Sequence, residues 1–197
     1  MKTLPRRFYR RDPRDVAPDL LNKVLVCGTR SGRIVETEAY CGPIDPGAHS
    51  YRGLTPRTTV MFGPPGHLYV YLSYGIHWCC NPVCGEDGEG VAVLIRAVEP
   101  VAGIEEMRPR RPKARRDVDL TNGPGKLTEA LGIVGANNGA DLVTGDQGIV
   151  IADDGTPPPV APIQTWRIGF GNNPARDYPW RWFVPGNRFV SRPEGAR

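Results

Sequence analysis

Polar and apolar positions alternate with a period of about two over residues 33–40 (RIVETEAY), a stretch rich in β-branched side chains, and predict a strand. On that period Ile34, Glu36, Glu38 and Tyr40 share one face, and Arg33, Val35, Thr37 and Ala39 the other. Carboxylates are seldom buried unless paired or put to chemical use, so two of them on a core-like strand mark a place to watch. The breaker Cys41-Gly42-Pro43 then leads into a polar loop carrying Asp45, Pro46 and His49. Upstream, Asp12–Leu21 reads as a short helix with Val16, Leu20 and Leu21 as its apolar stripe, with Pro18 tolerable only in a first turn. Asn22 suits a left-handed helix end, Val24–Cys27 a short strand, and Gly28 with Ser31-Gly32 the turn into strand 33–40.

Further along, the aromatic-rich runs His67–Ser73 and Ile76–Cys80 are separated by Tyr74-Gly75, which predicts a β-hairpin. Tyr69, Tyr71 and Ser73 share one face of it, Val70 and Leu72 the other. A tyrosine at a hairpin tip cannot reach the core and is wasted there unless it inserts into something. Val91–Val98 is an apolar strand interrupted by Arg96, which is costly unless it meets a carboxylate; Glu36 and Glu38 are the candidates. Pro100–Arg108 reads as a helix with Val101, Ile104 and Met107 inward, stopped by Pro109. Residues 122–132, NGPGKLTEALG, read as a glycine-rich turn opening a helix with Leu127, Ala130 and Leu131 apolar. They fail the phosphate-loop pattern, with Leu at 120 and 127, but leave exposed amides and Lys126 able to hold one phosphate. Short strands are predicted at Gly148–Ala152, Thr165–Gly169 and Arg181–Val184, with Pro157-Pro158-Pro159 as a stiff connector inside one domain.

Composition narrows the class. A chain of 197 residues with 40% hydrophobic content can bury one sizeable core. It holds no run of ~18 apolar residues, and its start lacks the apolar middle of a signal peptide, so a cytoplasmic protein is expected. Five cysteines without a CxxC pair suit a reducing compartment, and the spacing of His77, Cys79, Cys80 and Cys84 matches no usual zinc pattern. The formal charge of +4 hides two basic segments: residues 1–14 hold six basic side chains against one Asp, and residues 108–116 six with no acid. Such segments point to a polyanion, nucleic acid first, and the first of them, residues 1–15, is expected to be an arm ahead of a domain spanning 16–192.

Together RIVETEAY, AHS, PGHLYVYLSYGIHWCCN, VLIRAVEP, the GPGKL helix and WRWFVPGNRFVS resemble the alkyladenine (3-methyladenine) DNA glycosylase family from about Leu20 to Ser191, in the family's order. Ile76, His77, Trp78 and Pro18 depart from its pattern. The resemblance implies a single mixed α/β (α+β) domain: a curved antiparallel sheet, surrounding helices and a protruding hairpin. It implies an enzyme that hydrolyses the N-glycosidic bond of a damaged purine flipped out of double-stranded DNA, without metal or other cofactor; a monomer is expected as the default for a chain of this size. Residue by residue, it makes Glu38 the general base and Arg96 the arginine that helps place the water. Tyr40, His49 and Tyr71 hold the base, and Asn81 crowds the guanine 2-amino position. Tyr74 is the wedge that fills the gap left by the flipped nucleotide. Arg52, Arg57, His77 and Lys126 are then candidates for the DNA backbone, and Glu36 is expected to serve structure. A non-catalytic nucleic-acid-binding module is the alternative; an acid facing a DNA cleft hinders a binder and is required of a hydrolase.

Overall fold

The computed structural model describes residues 1–191; the expected domain end at 192 lies outside the described residues. In chain order the elements are β1 (Lys2–Thr3), α1 (Arg6–Tyr9), α2 (Pro13–Asp19), β2 (Val24–Cys27), β3 (Arg30–Tyr40), β4 (His67–Ser73), β5 (His77–Cys84) and β6 (Val91–Ala102). They continue with α3 (Ile104–Arg110), α4 (Val118–Thr121), α5 (Pro124–Leu131), β7 (Ala140–Asp141), β8 (Ile149–Asp153), β9 (Ile163–Thr165) and β10 (Arg181–Phe183). The strands hydrogen-bond in the order β1-β8-β2-β3-β6-β5-β4-β7, with β10 between β3 and β9. Antiparallel throughout, the sheet curls into a half-barrel with few helices, as the resemblance implied.

The longest pairing, β3 against β6, forms the spine. One face of it is closed by α2, α3 and α5, whose Val16, Met107, Leu127 and Leu131, with Leu20 just past the end of α2, join Val93 and Ile95 in the main core. The other face of β3 carries Glu36, Glu38 and Tyr40, as the alternation predicts, but not Ile34. Register shifts on either side of Glu36 break the two-residue period, so Ile34 sits in the main core with Ala39. A bulge has no polarity signature of its own, and the simple alternation misplaced this residue. Ser31 and Gly32 likewise lie inside β3 and not in a turn.

Other boundaries move for identifiable reasons. The strand expected to end at Val98 runs on to Ala102, leaving Val101 half exposed, and the helix starts only after Gly103, whose φ of +72° makes the corner. Pro109 lies inside the last turn of that helix and does not stop it, because a proline near a C-terminus forfeits only one bond. Pro18 is similarly placed late in the seven-residue α2, not in its first turn. Asn22 does adopt the left-handed conformation, with φ +67°. The strand expected at 165–169 is displaced to Ile163–Thr165.

Residues 1–15, expected as an arm, pack onto the body. β1 pairs with β8, Tyr9 is fully buried, and Arg6 and Arg10 reach Asp141 and Glu86. The hairpin β4–β5 instead leaves its tip exposed, while the start of its return strand is gripped by α5. The Thr128 hydroxyl donates to the Trp78 carbonyl (2.8 Å), and Gly125 and Gly135 leave room for His77 and Trp78, which a Cβ at either glycine would strike.

Candidate active site

Two arginines and two carboxylates organise the face of β3 turned away from the main core. Arg96, from β6, donates through Nε to Glu36 (2.9 Å) and lies 3.2 Å from Glu38 through Nη1, so it pairs with both candidates that its cost demanded. Arg181 of β10 donates to the same oxygen of Glu36 at 2.7 Å, and the Ser191 amide and hydroxyl complete its shell. Burial alone would push the Glu36 carboxyl up; Arg96, Arg181 and the Ser191 donors together hold it below the usual range. For Arg96 burial opposes the charge, and Glu38 and Glu36 more than restore it, leaving its pKa raised. This matches the structural role expected of Glu36.

Glu38 is held differently. Its Oε1 accepts from the Ile168 amide (2.8 Å) and its Oε2 from the Tyr40 hydroxyl (3.0 Å). The side chain is fully enclosed, yet Tyr40, Arg96 and Ile168, the three groups that hold it, all border one cavity of about 440 Å³. That volume lies in the range of small-molecule sites. Glu38 therefore stands directly behind the cavity wall and not in it. Burial, then the Glu38 charge, raises the Tyr40 phenol far above its ordinary value, so its hydroxyl stays a donor.

Rings make up much of the remaining wall. Tyr69 and Tyr71 stack at 5.4 Å, and His49 meets Tyr71 edge-on at 4.4 Å. The His49 Nε2 faces an Arg57 nitrogen at 3.5 Å; arginine can only donate, so Nε2 accepts and Nδ1–H is left to donate to the Tyr69 hydroxyl at 3.1 Å. Lost hydration, then Arg57, pulls His49 down to about 4, which makes it a neutral imidazole near pH 7. Asn81 is buried in the wall, its amide donating to the Tyr69 carbonyl (3.1 Å), and the adjacent cysteines diverge as strand geometry requires, Cys79 to the cavity and Cys80 to the core. Burial raises the Cys79 thiol, so it stays protonated.

At the cavity's outer rim stands Tyr74, 87% exposed at the hairpin tip. It and Gly75 have φ of +50° and +71° in a loop of Tyr74, Gly75 and Ile76 between the paired Ser73 and His77, a left-handed conformation adopted here at some cost by a bulky residue. Arg57 sits over the Tyr71 ring at 5.4 Å, in the cavity mouth. Arg52 and His77 are exposed near by in sequence to these elements, while Lys126 is occupied by Asn122 at 2.7 Å. Among the described residues no group of three or more His, Cys, Asp or Glu side chains is arranged to hold a metal ion, and no helix is long and apolar enough to cross a membrane.

Sequence reasoning missed Arg167, Arg181 and Ile168. Arg167 is buried against Asp45, with both nitrogens at 2.7 Å from its oxygens. The argument that singled out Arg96, an arginine inside an apolar run, applies equally to both missed arginines and would have found them.

A curled sheet bearing an enclosed acid behind a ring-lined cavity has the form of an enzyme site. The family model described as methylpurine-DNA glycosylase matches residues 7–188. A protein from Burkholderia lata, provisionally named 3-methyladenine DNA glycosylase, is 58% identical over 195 residues, 98% of this chain and 93% of its own length. Proteins of the same provisional name from Methanoculleus marisnigri (48% identical; 96% and 99% covered) and Streptomyces avermitilis (45%; 95% and 90%) are similar too. The chain belongs to the methylpurine-DNA glycosylase family. It is a DNA repair glycosylase, a hydrolase of N-glycosyl bonds whose substrate is DNA.

Proposed function

We propose that the enzyme excises alkylated or deaminated purines flipped out of duplex DNA, with Glu38 as general base, and leaves an abasic site. As the purine departs, the sugar gains oxocarbenium character; a carboxylate beside it stabilises that charge and takes a proton from the attacking water. The observation that carries the reading is the pairing of Glu38 with Arg96 and Tyr40, two residues of the cavity wall, so that a base in the cavity lies within one wall thickness of the acid. For water to reach the carboxylate, the Tyr40–Glu38 contact must loosen when the base enters.

Tyr40, His49 and Tyr71 are the ring faces for the base, and electron-rich faces favour cationic alkylpurines. A neutral His49 adds no repulsion to such a cation. Asn81 restricts the wall against the guanine 2-amino group. Tyr74 serves as the wedge, its stacking returning ~1–3 kcal/mol against the cost of flipping. Arg52, Arg57, His77 and Lys126 are assigned to the DNA backbone, Arg57 at the mouth and Lys126 beside the α5 N-terminus. The enzyme acts as a monomer in a reducing, cytoplasmic compartment, which the five free, buried cysteines support. Among the described residues no lysine borders the cavity, which supports hydrolysis without an amine nucleophile.

The test pairs wild type with Glu38→Gln on duplexes carrying 3-methyladenine, ethenoadenine or hypoxanthine, scoring alkali-labile abasic sites. A loss of roughly 10²–10⁴-fold in single-turnover rate is expected. Retained activity would remove Glu38 from the mechanism.

A further inference from the structure

We infer that Arg167 is a positioning residue for the reaction: clamped by Asp45, it sets the main-chain amide of Ile168 against Glu38. The inference rests on Glu38 being the base. Arg167 follows β9 in a stretch with no regular structure of its own, ahead of Gly169, which has φ +93°. Such a segment does not hold one amide in place by itself. Arg167 supplies the constraint from three sides.

Its two terminal nitrogens meet both oxygens of Asp45 at 2.7 Å, a two-point contact that fixes the guanidinium plane. One of them also donates to the carbonyl of Ala39 (3.0 Å), the residue directly after Glu38 in β3. The guanidinium carbon lies 4.4 Å from the Phe170 ring centre, 4.8 Å from Tyr40 and 5.2 Å from Trp180. Asp45 is fixed in turn by the amides of Cys41 and Gly47. The segment that follows Glu38, from Ala39 to Asp45, is therefore tied to the residue preceding Ile168, whose amide donates to Glu38 at 2.8 Å. Gly47 makes the approach possible, since a Cβ there would fall 2.2 Å from the Phe170 ring.

Two features argue that stability is not the sole reason for this arrangement. A buried ion pair contributes little net stability. The Arg167 Nε–H also finds no hydrogen-bond partner among the described residues, a further cost. What the pair does achieve is to hold the amide that faces Glu38, and with it the aromatic segment to Phe170 that walls the cavity.

Arg167→Lys tests this, because it keeps the buried charge and loses the two-point contact. It is compared with wild type and Glu38→Gln for single-turnover rate, half-saturating enzyme concentration and melting temperature, on a duplex whose lesion the wild type excises. The expected result is a folded variant with the rate lowered on the order of 30–100-fold and half-saturation changed less than about twofold, as for a reacting group misplaced within an intact binding site. A wild-type rate, or a weakened half-saturation that accounts for the whole loss, would overturn the inference. Should Arg167→Lys fail to fold, Asp45→Asn/Arg167→Gln, a neutral pair, is read by the same criteria. An active Glu38→Gln enzyme would remove the base assignment and this inference together. An inactive one beside a full-rate Arg167→Lys removes the inference alone.

Discussion

The face of β3 around Glu36 and Glu38 and the tip of the β4–β5 hairpin are opposites in every physical respect. At β3 the polar groups are enclosed and their bonding capacity is met inside the chain: Glu36 alone accepts from Arg96, Arg181 and two groups of Ser191. At the tip, Leu72, Tyr74 and Ile76 stand in solvent at 40%, 87% and 70% exposure, and Tyr74 holds a backbone conformation that suits few large residues. The first region explains itself from within the fold. The second has apolar surface with no internal use, which makes sense for a molecule that meets stacked bases. On the proposed reading, order inside serves to hold Glu38 and unmet contacts outside serve to engage the duplex.

The strongest way to break this contrast is to disturb the enclosed side. Glu36→Gln removes a carboxylate that both Arg96 and Arg181 pair with while they stay buried, and removing one partner of such a set costs about 3–5 kcal/mol. For a domain of this size the melting midpoint should fall by roughly 10 °C, measured by calorimetry. A change under about 2 °C would mean the network is dispensable. The sign with pH follows from its depressed carboxyl: this stabilisation is present above the ordinary glutamate range and is lost as pH falls through the lowered folded value.

The exposed side should respond in the opposite manner. Tyr74→Ala is expected to leave the melting temperature within about 1–2 °C, since nothing internal rests on the ring, while the excision rate on duplex drops by roughly 5–100-fold, the equivalent of ~1–3 kcal/mol of stacking. An unchanged duplex rate refutes the wedge.

Smallest of all is the effect of His49, which sits between the two regions. Its folded value near 4 means that the unfolded chain binds more protons between about pH 4 and 6.5, so its contribution to stability is full above that window and declines as pH falls through it. A ring titration followed by NMR should show a midpoint near 4; a midpoint near 6.5 would return it to ordinary solvent.

How much of this could be read from residues alone depended on the range of the interaction. Glu36, Glu38 and Tyr40 on one face, the hairpin turning at Tyr74-Gly75, and Arg96 meeting both acids all follow from local period or from the cost of burying a charge. Ile34 was misplaced because a bulge interrupts the period without altering polarity. Arg181, set among Trp180, Trp182 and Phe183, was legible by the same cost argument as Arg96, whereas Ile168 escaped because it reaches Glu38 through a main-chain amide across 130 residues, which no residue type signals. The basic start looked like a free arm because its acidic partners, Asp141 and Glu86, lie far along the chain. Charge runs are legible in composition; what neutralises them is not.

The late position of Ile168, Arg181 and Ser191 has a consequence for the life of the molecule. Neither glutamate is fully dressed until the final quarter of the polypeptide has docked, so a nascent or C-terminally clipped chain lacks part of the support of the proposed general base. Contacts of such long span form late. On the proposed assignment, an unfinished chain thus has its reaction centre unassembled, and competence to cut glycosidic bonds arrives only with the complete fold.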